Sequence, residues 1–219
     1  MTGSARTLAG IPGRMPRDAR TVQERGTLLL DVRRAADFVV EHAAGAVSAQ
    51  FHRALLVPRV AQAVPPGTPI ILLGQNDIIV EAAAELLAAA ARNPLQGFVD
   101  GGLGAWKDAG LSTAPCGVVT AETLGTRLAA ERDRPVVVDV REPFEWRNGT
   151  IPEAMRLRLG EVWERHRELP RDREIALVCM GGIRSCTAAS ILQRAGFERV
   201  LNMAGGMDAW GRANLPTAR

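Results

Sequence analysis

The sequence is poor in the features that place a protein quickly. Its 219 residues include three cysteines, three histidines, a single lysine (Lys107) and only 4% aromatic residues. Three cysteines are too few for a disulfide scaffold, which implies reduced thiols and a cytoplasmic setting. No stretch reaches the roughly 18 apolar residues of a membrane helix, so no membrane association is expected. The first residues carry Arg6, Arg14, Arg17 and Arg20 but no apolar run, so no signal peptide is expected. His42, His52 and His166 stand apart from one another and from the thiols, which gives no metal-ligand spacing. Neither a P-loop nor a dinucleotide fingerprint is present, and no cofactor is expected. The 27 basic residues barely outnumber the 24 acidic ones, for a formal charge of +3. The arginines are scattered and not grouped on one face with aromatics between, which excludes nucleic acid as a partner.

What the chain does contain is a duplication. Leu28–Arg33 (LLLDVR) recurs as Val136–Arg141 (VVVDVR), and Gly101–Trp106 (GGLGAW) recurs as Gly205–Trp210 (GGMDAW). Between them the apolar run 69–73 matches 174–178. The period of about 105 residues is far too long for a solenoid and marks a duplicated domain. Small residues, Pro115 and Gly117 over 112–117 read as the linker, which gives domains 1–113 and 114–219. Thr120 reads as a helix N-cap with Glu122 in the first turn. Helices are expected over 82–91 and, in the second half, over 187–195, the latter ended by Gly196. Short apolar runs without alternation suit strands buried on both faces. Each half is therefore an expected α/β domain with a central, mainly parallel sheet flanked by helices.

One segment of the second half is dense with chemistry: Cys179-Met180-Gly181-Gly182-Ile183-Arg184-Ser185. An apolar strand ends at Val178 and a helix starts near Arg184, so Cys179 is expected at the carboxyl end of the sheet, where open α/β sheets bind ligands. The two glycines let backbone N–H groups turn inward, and the helix N-terminus adds partial positive charge. Both favour a thiolate. Arg184 adds a planar cationic fork suited to an oxyanion. A lone cysteine at a strand end is most often a small core residue. The glycine pair, the arginine and the strand-to-helix context argue instead for a nucleophile beside an anion site.

The pattern Cys-x-x-Gly-x-Arg-Ser at 179–185 resembles the active loop of the rhodanese (sulfurtransferase) family. Asp139–Glu142 and Gly205–Trp210 are similar to that family's flanking signatures, in the same order. The resemblance covers Thr120–Pro216 and, more weakly, Leu28–Leu111. It implies that Cys179 takes a sulfane sulfur from thiosulfate or a persulfide, forms a cysteine persulfide, and passes the sulfur to cyanide or a thiol with ping-pong kinetics. It further implies that the backbone from Met180 through Gly181, Gly182 and Ile183 to Arg184 and Ser185 binds the persulfide, while Arg184 orients the anionic part of the donor. Where the family has His-Ile-Pro-Gly-Ala, residues 150–154 read Thr-Ile-Pro-Glu-Ala.

Two other classes remain open at the level of sequence. One is a carrier or sensor that holds persulfide without turnover, or an interaction module. The other is a cysteine phosphatase or arsenate reductase, which the four residues between Cys179 and Arg184 disfavour: phosphatase loops have five and enclose a tetrahedral phosphate. Only Asp139 and Glu142 offer themselves there as leaving-group acids. In the first half Gly74 stands in place of Cys179, Gln75, Asn76 and Asp77 replace 180–182, and Ile79 replaces Arg184. That copy is expected to be inactive, with Asp77 repelling an anionic donor. A degenerate copy ahead of a competent one is similar to the C-terminal part of some persulfide dioxygenase fusions, which implies a working partner in persulfide oxidation. Cys186 is expected to pack in a helix, Cys116 to be exposed in the linker, His42 to pack, His166 to lie on a solvated helix face, and Trp106 and Trp210 to anchor the cores.

Overall fold

The computed structural model describes residues 6–130 and 132–218. The chain divides into two compact units, Met1–Pro115 and Cys116–Arg219. The first contains β1 (Thr7–Leu8), β2 (Ile11–Arg14), α1 (Pro16–Glu24), β3 (Leu28–Asp31), α2 (Ala35–Val40), β4 (His42–Ala43), β5 (Val47–Ser48), α3 (Leu56–Ala63), β6 (Ile70–Leu73), α4 (Asp77–Ala90), β7 (Leu95–Val99), α5 (Gly102–Asp108) and β8 (Thr113–Ala114). The second contains β9 (Gly117–Val119), α6 (Ala121–Ala129), β10 (Val136–Asp139), α7 (Pro143–Trp146), β11 (Met155–Arg156), α8 (Val162–Arg165), β12 (Ile175–Val178), α9 (Ile183–Arg194), β13 (Val200–Met203) and α10 (Gly206–Arg212).

The sheet of the first unit runs β1-β2-β7-β6-β3-β5, and that of the second runs β11-β10-β12-β13-β9. Apart from the antiparallel β1–β2 pair, the neighbouring strands in both sheets are parallel. The order β2-β7-β6-β3-β5 is reproduced by β9-β13-β12-β10-β11. The sequence repeat is thus a repeat of topology, and two α/β units with parallel sheets flanked by helices are present, as the apolar runs indicated. Every residue of β3, β6 and β12 is buried, which explains why these strands carry no polar alternation.

The retained motifs do the same structural work twice. The guanidinium of Arg33 grips Asp31 and donates to the Glu41 carbonyl; that of Arg141 grips Asp139 and donates to the Gly149 carbonyl. All four side chains are nearly inaccessible. Each carboxylate also accepts the backbone N–H two residues on, so the pair fixes the turn that leaves the strand. Trp106 and Trp210 are buried, and each indole donates to a carbonyl six residues on, at Ser112 and Pro216. In the second unit Trp210 packs with Val119, Leu124, Ile151, Val178 and Met203.

His42 stacks on Phe38 at 3.8 Å, and its Nδ1 lies 2.9 Å from the Phe38 carbonyl. The position of His42 in β4, which pairs with β8, is taken in the second unit by Thr150, which pairs with Ala218. The loss of a histidine at Thr150 therefore leaves that edge contact in place.

Several boundaries differ from the sequence reading. α4 starts at Asp77, well before position 82, because the Asn76 side chain caps it through the Ile79 N–H. α9 starts at Ile183, next to the expected start near Arg184 and ahead of the helical stretch read over 187–195; Gly196, at φ +84°, follows its end. Thr120 does cap α6, accepting from Thr123 N–H. The segment 112–117 is not a free linker. Thr113–Ala114 pairs back onto β4, Gly117 opens β9, and Cys116 between them is only 3% exposed. A Cβ on Gly117 would stand 2.6 Å from the Val200 carbonyl oxygen, so this segment is pressed against β13. His166 is half-buried with its ring edge toward Phe197, and not on a fully solvated face.

Removing one partner of a buried ion pair leaves the other charge uncompensated, at a cost of about 3–5 kcal/mol. Arg141→Met is expected to lower stability by about 3 kcal/mol on that ground, read as a shift in the urea unfolding midpoint.

Candidate active site

Cys179 follows β12 directly and is 1% exposed. Its thiol sits inside a short loop that ends at Gly182, whose φ of +93° only glycine adopts without strain. That conformation aims the Gly182 N–H at the Cys179 Sγ, 3.1 Å away. The Ser185 hydroxyl, from the first turn of α9, lies 3.4 Å from Sγ and 2.6 Å from Asn202 Oδ1. Asn202, on the neighbouring strand β13, also donates to the Gly182 carbonyl. The loop is held from the other side by α10, where Met207 N–H donates to the Cys179 carbonyl and Asp208 N–H to the Met180 carbonyl. With its carbonyls drawn toward α10, the loop leaves its N–H side to the sulfur.

The other expected site residues divide into two groups. Gly182 and Ser185 are buried at the thiol. Met180 and Gly181 form the exposed lip of the loop, and Ile183 is half-buried in the first turn of α9. Arg184 is also half-buried, and both of its terminal nitrogens are engaged. Nη1 and Nη2 each donate to one Glu145 carboxylate oxygen at 2.7 Å. The pair is bidentate, the strongest common ion-pair geometry. Its hydrogen bonds to Arg184 hold the Glu145 carboxyl below the usual carboxylate range, against the opposing effect of burial. From sequence Arg184 is a cation for the anionic part of the donor; the structure adds a carboxylate partner to it.

Glu145 and Asn202 were not singled out from sequence. Glu145 had a local signal: its Oε2 accepts the Glu142 N–H, three residues back in a capping box around Pro143. Asn202 is the polar residue of an otherwise apolar strand, a pattern that marks a buried hydrogen-bonding duty. Asp139, weighed above as an acid, is buried and bound to Arg141; Glu142 lies 3.8 Å from Arg158.

Cys186 is fully buried in α9. Cys116, expected to be exposed, is buried, and burial pushes its thiol up to about 11. Among the described residues, no group of three or more His, Cys, Asp and Glu could hold a metal ion. No helix among them is long and apolar enough to cross a membrane.

The first unit shows what the same place becomes without the thiol. A Cβ on Gly74 would stand 2.6 Å from Val80 Cγ2, so the space for a side chain there is filled. Asn76 caps the helix that Gly182 leaves open in the second unit. Asp77 pairs with Arg6, which offsets the repulsion expected from it. A cleft of about 390 Å³ persists, lined by Arg33, Asp37, Asn76, Asp77, Phe98 and Gly101 among others.

A tandem α/β protein with a cysteine at the carboxyl edge of one parallel sheet is thus defined by fold and site. Comparison with known proteins makes the assignment specific. The Rhodanese-like domain matches twice, over residues 15–109 and 120–213. A sulfurtransferase of Allochromatium vinosum is 40% identical over 98 residues, 45% of this chain and 91% of that protein. The thiosulfate sulfurtransferase GlpE of Pseudoalteromonas translucida is 35% identical over 80 residues, 36% of this chain and 76% of that protein. Among solved structures, a thiosulfate sulfurtransferase from Pseudomonas aeruginosa is 23% identical, with a TM-score of 0.44, covering 95% of this chain and 44% of that one. The chain belongs to the rhodanese-like family, with two copies of its domain.

Two outcomes follow from the site's electrostatics. At pH 8 Cys116 stays protonated and shielded, so iodoacetamide is expected to label it only after denaturation, read by peptide mass mapping. Glu145, ionised in the ion pair, contributes stability that is complete above the ordinary glutamate value of about 4.3 and is lost as pH falls through its depressed folded value. Glu145→Gln is therefore expected to lower Tm at pH 7 and to lose less Tm than the wild type on acidification below about pH 4.

Proposed function

We propose that the protein is a sulfurtransferase in which Cys179 carries sulfane sulfur as a persulfide. The observation that supports this most directly is the seat of the Cys179 Sγ: a Gly182 N–H at 3.1 Å and the start of α9 both favour negative charge on sulfur, beside a Ser185 hydroxyl that is held by Asn202 Oδ1. In the first half-reaction the Cys179 thiolate attacks the outer sulfur of thiosulfate or a persulfide. A new Sγ–S bond forms, the donor's S–S bond breaks, and sulfite or a thiolate departs. In the second, cyanide or a thiolate attacks the bound outer sulfur, leaving as thiocyanate or a persulfide while Cys179 returns to the thiolate. No net electrons are exchanged with the protein.

With four residues between Cys179 and Arg184 the loop is tighter than a phosphatase ring, which supports a single sulfur atom as what it holds. We assign the activity to the second domain and read the first as an inactive copy, because Gly74 offers no nucleophile and Val80 fills the space beside it. The partners on this reading are a small sulfur donor and a cyanide or thiol acceptor. None of the three cysteines is in a disulfide, which fits a cytoplasmic setting.

Cyanolysis with thiosulfate and with persulfide donors tests the reading. Wild type is expected to show parallel lines in double-reciprocal plots, and Cys179→Ser to lose at least about a thousandfold in turnover, as removal of a covalent nucleophile does. Equal activity in the two proteins overturns it. Intact-mass measurement adds the alternative outcome: one sulfur held on Cys179 that no acceptor discharges describes a carrier instead.

A further inference from the structure

Resting on that reading, we propose that Glu145 sets the donor class of the site: by holding both arms of the Arg184 fork it withdraws the loop's cation, so that an organic hydropersulfide is a better donor than the thiosulfate dianion. Thiosulfate brings two negative charges, and on sulfur transfer both remain on the departing sulfite. A dianion of this kind is ordinarily gripped by a guanidinium with open donors. Here Arg184 Nη1 and Nη2 are each 2.7 Å from a Glu145 oxygen, and the Glu145 side chain is only 10% exposed. Exchanging this carboxylate for a substrate would leave a partly buried charge without its partner.

The surroundings add to the effect. Asp208 is exposed on the first turn of α10, and a Cβ placed on Gly181 would lie 3.9 Å from its Oδ2, so a carboxylate stands over the open lip of the loop. After Glu145, Arg184 still feels Cys179 electrostatically and, less strongly, Glu142. Arg158, which approaches Glu142, is bonded to Glu161. Arg212 stands instead at Gly205, where a Cβ would be 3.6 Å from its Nη2.

The exposed apolar side chains suit an organic body. Phe144, next to Glu145 in α7, is 65% exposed, and Met180 on the loop itself is 36% exposed. In the transfer, the Cys179 thiolate attacks the terminal sulfur of RSSH. The Sγ–S bond forms, the RS–SH bond breaks, RS⁻ departs, and the proton stays on the transferred sulfur. Sulfane sulfur moves without change of total oxidation state, and no dianion has to be held.

The test compares cysteine hydropersulfide with thiosulfate as donors, at matched ionic strength and with one acceptor. Wild type is expected to favour the hydropersulfide by at least about tenfold in kcat/KM, the scale of one charge-assisted contact. Glu145→Gln, which frees the Arg184 fork, is expected to reduce that preference about tenfold, mainly through a lower KM for thiosulfate. Glu145→Asp, whose shorter side chain cannot reach both nitrogens, is expected to shift the ratio the same way and decides the matter if the Gln variant does not fold; Asp208→Asn, which leaves the ion pair intact, is expected to reduce the preference only about threefold. A purely architectural Glu145 would lower both donors together and leave the ratio unchanged. An unchanged ratio in the variants that fold, or a wild-type preference for thiosulfate, overturns this proposal alone. Failure of either donor to load Cys179, read by intact mass, overturns the sulfurtransferase reading with it.

Discussion

A Cβ on Gly206 would stand 2.3 Å from the Cys179 carbonyl oxygen and 2.4 Å from that of Met180. No other residue could occupy that position without pushing α10 off the loop. The close approach lets Met207 and Asp208 N–H groups bind those two carbonyls, and the orientation of the loop around the sulfur depends on it. Gly205 and Gly206 both have positive φ, so the pair permits the turn as well as the contact. The Gly205-Gly206 signature, between β13 and α10 and some twenty-five residues after Cys179, is therefore a part of the thiol's seat.

The duplicated halves separate what holds the fold from what carries out chemistry. The Asp31–Arg33 and Asp139–Arg141 pairs, the buried indoles of Trp106 and Trp210, and the double glycines are present in both units. Each serves backbone geometry next to a strand end, which is the same problem in both sheets. The thiol, the arginine and the glutamate diverge together. Gly74 replaces Cys179, Ile79 replaces Arg184, and the shorter Asp37 stands where Glu145 does. Once the arginine is gone, a carboxylate at that place has no partner to hold.

Much of the fold was legible because its signals are local. Short apolar runs gave buried parallel strands, Thr120 gave a cap, and the repeat gave two domains of like topology. Structure and sequence part where a nearby residue changes a boundary or a remote strand changes an environment. α4 begins early because Asn76 caps it. Cys116 looks like a linker residue by composition, yet the packing of β9 against β13 buries it. At the site, the loop could be read from its composition, since glycines and a cysteine between a strand and a helix admit few geometries. The residues that orient it, Asn202 and Glu145, could not be read in the same way.

The sequence alone determined the duplication, the parallel α/β class and the location of the one thiol in a glycine loop, because periodicity and turn chemistry act over a few residues. Tertiary structure decided the state of Arg184. Its partner lies 39 residues away on a separate short helix, and only the pairing of β10 with β12 brings the two together. Charge in a sequence is counted residue by residue, but charge at a site is what remains after distant carboxylates and guanidinium groups have found each other.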